Sequence, residues 1–232
     1  MKKKVLSLLF VVSIVLLLTA CGNEPKESDN KVGGWELNTS VSNKIPTDKE
    51  KIFSKAIEKY TGMELEPIAY LGSQVVSGTN YMYLCKATTT TSKPETSFKV
   101  VVVYENLDKE VELKEVEDFD IEDYVNKDID IANEELTGGW IATSEAGDNA
   151  LSTDEDTMFD KATQDLVGVD YKPVALLATQ VVSGTNYAIL STGKTVTKDP
   201  VNNISIITIY KDLDDNVKVL SVANIDLADF ND

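Results

Sequence analysis

The chain has 232 residues and a formal net charge of −17 at pH 7, its 22 basic residues are all lysine, and it contains no histidine. Such an acidic chain is a poor candidate for nucleic-acid binding, which depends on neutralising phosphates with basic side chains. Without histidine, the sequence offers no Ser–His or Cys–His pair for nucleophilic catalysis and no histidine ligand for zinc. We therefore expect no enzymatic activity, no metal and no cofactor.

The first 20 residues have the composition of an export signal. Three lysines at positions 2–4 precede an apolar run at residues 5–18. That run is shorter than the roughly 20 residues of a membrane-spanning helix. Residues 1–20 are therefore predicted to be a lipoprotein signal peptide, with an ordinary cleaved signal peptide or a short anchor as the alternatives.

The cysteine at the end of this segment favours the lipoprotein interpretation. Leu-Thr-Ala-Cys at residues 18–21 resembles the lipobox of bacterial lipoproteins, in which the cysteine is lipidated and becomes the mature N-terminus. The resemblance implies an exported protein, anchored through lipid on Cys21 to the outer face of the bacterial cell membrane. Residues 21–31 are polar and charged, so we expect a flexible tether there.

The chain contains an internal repeat. The sequence QVVSGTNY occurs at residues 74–81 and again at residues 180–187, and the flanking sequences align at the same offset of 106 residues. A period of this length is that of a small domain rather than of a solenoid unit. The sequence therefore predicts two tandem domains, at residues 31–126 and residues 135–232.

The cysteines allow no intrachain disulfide once Cys21 carries lipid, because Cys85 is the only other cysteine. Cys85 corresponds to Ser191 in the second repeat. A residue that serine replaces at the equivalent position, with no neighbouring base available, is expected to be structural rather than a catalytic thiol.

Each repeat begins with the pattern of one amphipathic helix. Thr47 and Glu50 have the spacing of a capping box, and apolar residues then follow at helical spacing up to Tyr60. Four segments rich in Val, Ile, Tyr and Phe come next and read as strands joined by hairpins. The predicted strands are residues 67–76, 80–87, 98–106 and 111–119. The expected fold class is α+β, with one helix packed on a four- to five-stranded antiparallel sheet in each domain.

The repeated octapeptide has the features of a hairpin tip. Glycine at position 78 supplies the conformational freedom of a tight turn, and Ser77 precedes it. A good turn alone does not explain why all eight residues are identical in the two copies. Val75 and Val76 stand next to an exposed turn, and exposed apolar residues there are typical of a contact surface.

The octapeptide resembles the Gln-x-Val-x-Gly motif of the cystatin family, the inhibitors of papain-like cysteine proteases. Glycine pairs at Gly33–Gly34 and Gly138–Gly139 stand about 40 residues upstream of each motif, where cystatins keep their N-terminal glycine. The resemblance covers both repeats and implies two tandem cystatin-like domains of the disulfide-free type. It also implies a wedge that fills the protease cleft without being cut.

The resemblance assigns protease contacts to the N-terminal glycines, the first hairpin and a second hairpin in each repeat. Cystatins carry Pro-Trp or Leu-Pro in the second hairpin, whereas this chain has Leu-Asp in both copies. The assigned residues are Gly33, Gly34, Gln74, Val75, Val76, Ser77, Gly78, Leu107, Asp108, Gly138, Gly139, Gln180, Val181, Val182, Ser183, Gly184, Leu213 and Asp214.

These observations predict a monomeric, lipid-anchored surface protein that inhibits papain-like cysteine proteases by reversible, non-covalent occlusion of the active-site cleft. The first alternative is a non-inhibitory protein-binding or scaffold module that uses the same hairpins as contact tips. A hydrolase with paired carboxylates is a further alternative, but no motif places two acidic residues in one cleft.

Overall fold

The computed structural model describes residues 33–125, 139–143 and 150–230. Strand accounts for 51% and helix for 17% of the structure, so it is mostly β. Within the described residues, ten strands form two five-stranded antiparallel sheets, accompanied by three α-helices and one short 3-10 helix. Both sheets belong to one compact unit, Lys31–Asp232.

The first sheet is a meander in which strands that are consecutive in sequence are neighbours in the sheet. Its strands are β1 (Trp35–Leu37), β2 (Met63–Val76), β3 (Gly78–Thr89), β4 (Thr96–Asn106) and β5 (Val111–Phe119). The second sheet has the same order. Its strands are β6 (Ile141–Ala142), β7 (Val169–Val182), β8 (Gly184–Thr195), β9 (Asn202–Lys211) and β10 (Val217–Asn224).

The helices stand between and after the strands. They are α1 (Thr47–Ile57), α2 (Glu122–Val125), α3 (Thr153–Thr163) and the 3-10 helix Leu227–Phe230. Helix α1 begins at Thr47, but its predicted capping box does not form, because the N-cap residue is Pro46. In the second repeat a capping box does form, between Ser152 and Glu155.

Both faces of each sheet are apolar. In β3, Met82 and Leu84 point to one face and Tyr83 and Cys85 to the other, and all four side chains are completely buried. The first pair belongs to a core that also includes residues of the second sheet. The second pair belongs to a separate cluster that includes Phe53 of α1. Each sheet therefore has two covered faces.

The core between the sheets contains side chains from both repeats. The first sheet contributes Leu71, Met82, Leu84, Val100 and Val102, and the second contributes Leu177, Ala188, Leu190, Ile204 and Ile206. The outer face of the second sheet packs on α3, where Phe159 lies in one cluster with Ile189 and Ile207. The order of layers is therefore helix, sheet, sheet, helix.

The predicted fold class is wrong. The expectation was an α+β chain of two cystatin-like domains, each a helix packed on a four- to five-stranded sheet, whereas the structure is mostly β, with two five-stranded sheets and three helices in the described residues. The predicted fold needed only one apolar sheet face, which one helix would cover. Four consecutive valines at residues 100–103 are all buried, alternately on the two faces, so a second covering layer is required.

We expect Leu84→Ala to lower the free energy of unfolding by about 2–5 kcal/mol and to destabilise both repeats together. The reason is that Leu84 lies in the core that the two sheets share. Trp35 and Trp140, one in each repeat, pack against the same core. Unfolding in urea can be followed by the fluorescence of one tryptophan when the other is replaced by phenylalanine. Leu84→Ala should lower the urea midpoint by the same amount whichever tryptophan is observed.

Val196→Ala is the control for this experiment, because its side chain is 71% exposed. It should leave the unfolding midpoint unchanged. A Leu84→Ala shift confined to the Trp35 signal would contradict a shared core.

Candidate functional site

The repeated octapeptide forms the hairpin between β2 and β3, with Ser77 at its tip between the paired residues Val76 and Gly78. Gly78 is buried, and a Cβ added there would lie 2.7 Å from Cε2 of Tyr104. The missing side chain therefore allows β4 to approach the tip closely. Gly184 has the same relation to Tyr210, at 2.8 Å.

A tyrosine on the neighbouring strand holds the tip. The Tyr104 hydroxyl donates a hydrogen bond to the carbonyl oxygen of Ser77 at 2.9 Å. The Tyr210 hydroxyl donates to the carbonyl oxygen of Ser183 at 2.8 Å. Each tip is thus bonded to the sheet at the serine of its turn.

The glutamine and asparagine of the octapeptide face each other across the hairpin. The Asn80 amide donates to Oε1 of Gln74 at 2.6 Å, and the Gln74 amide donates to the carbonyl oxygen of Gly33 at 2.7 Å. Both side chains are buried. Gln74 therefore joins the N-terminal segment to the hairpin from inside. In the second repeat, Asn186 donates to Gln180 at 2.8 Å.

The two valines of each octapeptide remain at the surface. Val75 is 59% exposed and Val76 is 40% exposed. In the second repeat, Val181 is 62% exposed, while Val182 is half-buried. The residues that are identical in the two octapeptides therefore fall into two groups. Gln, Gly and Asn hold the hairpin, and the valines lie at the surface.

The turn between β4 and β5 is the second hairpin. The Asn106 side-chain oxygen accepts hydrogen bonds from the backbone N–H groups of Asp108 and Glu110, both at 2.9 Å. Lys109 adopts the left-handed conformation, with φ of 64°. Leu107 at this turn is 81% exposed. The turn therefore presents one leucine on a hydrogen-bonded frame.

The equivalent turn between β9 and β10 is built in the same way. Asp212 accepts from the N–H groups of Asp214 and Asn216, and Asp215 adopts the left-handed conformation. Hydrogen bonds from Asn216 lower the pKa of the Asp212 carboxyl. Leu213 is 85% exposed.

A lysine on each helix holds the second hairpin. The Lys55 ammonium of α1 donates to the carbonyl oxygen of Lys109 at 3.2 Å. The Lys161 ammonium of α3 donates to the carbonyl oxygen of Asp215 at 3.0 Å. The acceptor in each repeat is the residue in the left-handed conformation. The helix therefore fixes the turn at its most strained position.

An ion pair accompanies each turn, with its charges exchanged between the repeats. Glu105 and Lys109 lie 3.2 Å apart at the first turn, whereas Lys211 and Asp215 lie 2.7 Å apart at the second. The exchange preserves the attraction, so both turns keep the same local charge balance.

Strand pairing brings these elements to one end of each sheet. Trp35, next to the N-terminal glycines, pairs with Gln74, and Gly78 pairs with Asn106 beside the second turn. We call this set of residues the first tip surface: Gly33, Gly34, Val75, Val76, Ser77, Leu107 and Asp108. The second tip surface comprises Gly139, Val181, Val182, Ser183, Leu213 and Asp214. The predicted site residues Gly138 and Cys21 lie outside the described residues.

The structure separates the predicted contact residues into two groups. Gln74, Gln180 and Gly78 are buried and position the hairpins, while the leucines and all the valines except half-buried Val182 are exposed. Sequence reasoning missed the holding residues on neighbouring elements. These residues are the lysines Lys55 and Lys161 and the tyrosines Tyr104 and Tyr210. Each pair is identical at the common offset of 106 residues, and this identity is the signal that could have found them.

The one thiol in the described part of the chain is not accessible for catalysis. Cys85 is completely buried, and burial raises the pKa of its thiol well above the ordinary value. The same residues contain no group of three or more His, Cys, Asp or Glu side chains that could hold a metal ion. The exposed apolar tips instead suit contact with another protein.

Comparison of the chain with models of known protein families and with characterised proteins finds no match. Among the described residues, no helix combines the length and the apolar character that crossing a membrane requires.

We expect Gln74→Ala to lower the free energy of unfolding by about 1–3 kcal/mol, because it leaves the buried Asn80 amide without its acceptor. The change also removes the hydrogen bond to Gly33. Amide hydrogen exchange in β1 should therefore become faster. Val75→Ala, at an exposed position of the same strand, is the control, and equal behaviour of the two variants would contradict the positioning role of Gln74.

We expect the Cys85 thiol to resist alkylation in the folded protein, because it is buried and its pKa is raised. In the polypeptide from Gly22 onward, iodoacetamide at pH 8 should label it only after urea is added. Full labelling without denaturant would contradict the structural assignment of this cysteine.

Proposed function

We propose that this chain inhibits papain-like cysteine proteases by inserting its tip surfaces into the active-site cleft, reversibly and without a covalent bond. The observation that carries the proposal is the first tip surface, where Val75, Val76 and Leu107 are exposed on adjacent turns. A convex apolar surface of this kind complements a concave cleft, which is the common form of an enzyme site.

Rigidity of the tips favours inhibition over weak, adaptable contact. Tyr104 bonds the first turn, Lys55 bonds the second, and Gln74 bonds the N-terminal segment. Little conformational freedom is left to lose on binding, so more of the interaction free energy remains as affinity. The pairing of Val76 with Gly78 also keeps the chain folded back at Ser77. The turn therefore does not adopt the extended conformation that a protease cleaves.

The proposal rests on the motif and on the turn geometry, because the fold departs from two helix-on-sheet cystatin domains. Buried Gln74 contributes by holding the hairpin, and the direct contacts come from the valines and from Leu107. The same roles belong to Gln180, Val181 and Leu213 in the second repeat.

The second candidate is a non-inhibitory protein-binding module at the cell surface. The second hairpin favours it, because Leu107 is followed by Asp108 where cystatins have proline or tryptophan. An exposed carboxylate beside the leucine makes this turn more polar than a cleft-filling wedge requires. Binding without inhibition would identify this candidate.

Attachment to the membrane through lipid on Cys21 is part of the proposal. A chain with net charge −17 is repelled by anionic lipid, so acyl chains rather than a basic patch would hold it at the membrane. The lipid would keep the tip surfaces at the cell exterior, where proteases from outside meet them.

We expect the Val75→Asp/Val181→Asp variant to inhibit at least about tenfold more weakly than the unmodified chain. An unpaired carboxylate would have to be buried in the cleft, which costs free energy unless it finds a hydrogen-bond donor. The measurement is the inhibition constant of the polypeptide from Gly22 onward against papain and several cathepsin-like proteases.

The matched control is Val196→Asp/Val201→Asp, which places the same charges on exposed valines of the β8–β9 connection, outside both tip surfaces. This control should inhibit as the unmodified chain does. Absence of inhibition against every protease, or equal inhibition by both double variants, would refute the proposal.

A further inference from the structure

We infer that the chain binds two partner molecules at the same time, one at each of two opposite ends of the sheet sandwich. The inference rests on the proposed function in that each tip surface must bind a protease. It adds the relative direction of the two tip surfaces, which follows from contacts between the sheets.

We call the end of each sheet opposite its tip surface the far end. The far end of the second sheet lies against the half of the first sheet that is nearer its tip. Strand β10 begins beside the β9–β10 turn and ends at Asn224, at the far end, and the 3-10 helix Leu227–Phe230 follows it there. A Cβ added at Gly72 would lie 2.7 Å from Cδ1 of Leu227. Gly72 is in β2, close to Val76 at the tip.

The reciprocal contact places the far end of the first sheet against the tip half of the second. Helix α2 follows β5 at the far end of the first sheet, and the carbonyl oxygen of its Val125 accepts a hydrogen bond from the Ser221 hydroxyl at 3.4 Å. Ser221 lies in the middle of β10 and pairs with Thr208, in the half of β9 that is nearer the tip.

A surface cavity shows the same arrangement. Thr96 and Phe119, at the far end of the first sheet, line it together with Trp140 and Ala178 from the tip half of the second sheet. Three independent contacts thus agree that corresponding strands of the two sheets run in opposite directions. The first and second tip surfaces therefore point away from each other.

The two surfaces are far enough apart to be occupied together. Strand β2 has 14 residues, and at about 3.3 Å per residue it spans roughly 45 Å. Two globular partners at opposite ends of a body of this length do not collide. Both sheets share one core, so the two tip surfaces are joined by a rigid body. The chain therefore acts as a bridge between two proteases.

The two tip surfaces expose their apolar side chains to a similar extent. Leu107 and Leu213 are 81% and 85% exposed, and Val75 and Val181 are 59% and 62% exposed. The bonds that Tyr104, Lys55 and Asn80 donate in the first repeat recur in the second. Neither surface is a degenerate copy of the other.

The test is the mass of the complex with a papain-like protease whose catalytic cysteine is replaced by serine, measured by light scattering after gel filtration with the protease in excess. The polypeptide from Gly22 onward should bind two protease molecules. Val75→Asp and Val181→Asp should each bind one, and the double variant none. Because the changed side chains are exposed, their unfolding midpoints should match that of the unmodified chain.

A complex of the unmodified chain that saturates at one protease would overturn this inference while leaving the proposed function intact. The inference would equally be overturned if one single variant bound nothing, because only one surface would then work. Absence of any complex would overturn both the inference and the proposed function.

Discussion

The packing of two apolar sheet faces against each other is the constraint on which the rest of the structure depends. Each five-stranded sheet has a helix on its outer face, and the inner faces, which carry residues such as Leu84 and Leu190, pack against each other in one core. Burying both inner faces in one core turns two sequence repeats into one body. It also fixes which way each set of hairpins points.

The tips differ from the rest of the sheets, because they expose apolar side chains and are held by polar groups. Along β2 the buried residue Gln74 is followed by two exposed valines, and polar groups rather than apolar packing hold the hairpin. Buried amides that bond each other favour one arrangement of the hairpin, although Oδ1 of Asn80 is buried without a hydrogen-bond partner. The result is an apolar tip that keeps its shape in water, as a surface that binds another protein should.

Much of the local structure could be predicted from the sequence. Alternating apolar residues and turn residues placed a strand at residues 111–119, and β5 has those bounds. The octapeptide was expected to be a hairpin tip, and it is one. These features depend on neighbours in sequence, so a pattern of residues is enough to reveal them.

The features that the sequence did not reveal depend on contacts between distant residues. The buried state of Gln74 follows from its register opposite Asn80 and from its bond to Gly33, neither of which a local pattern contains. The fold class was wrong because alternation in a strand shows that a face is apolar without showing what covers it. Tyr104 and Lys55 hold the tips across strands and from a helix, so only the internal repeat could have indicated them.

The measurement that tests the central claim most directly is the alkylation rate of the papain active-site cysteine by iodoacetamide, as the polypeptide from Gly22 onward is added. If the tip surfaces occupy the cleft, the rate should fall in proportion to the added chain until the protease is saturated, while mass spectrometry finds the chain uncut. An unchanged alkylation rate with saturating chain, or cleavage of the chain at a tip, would contradict the account.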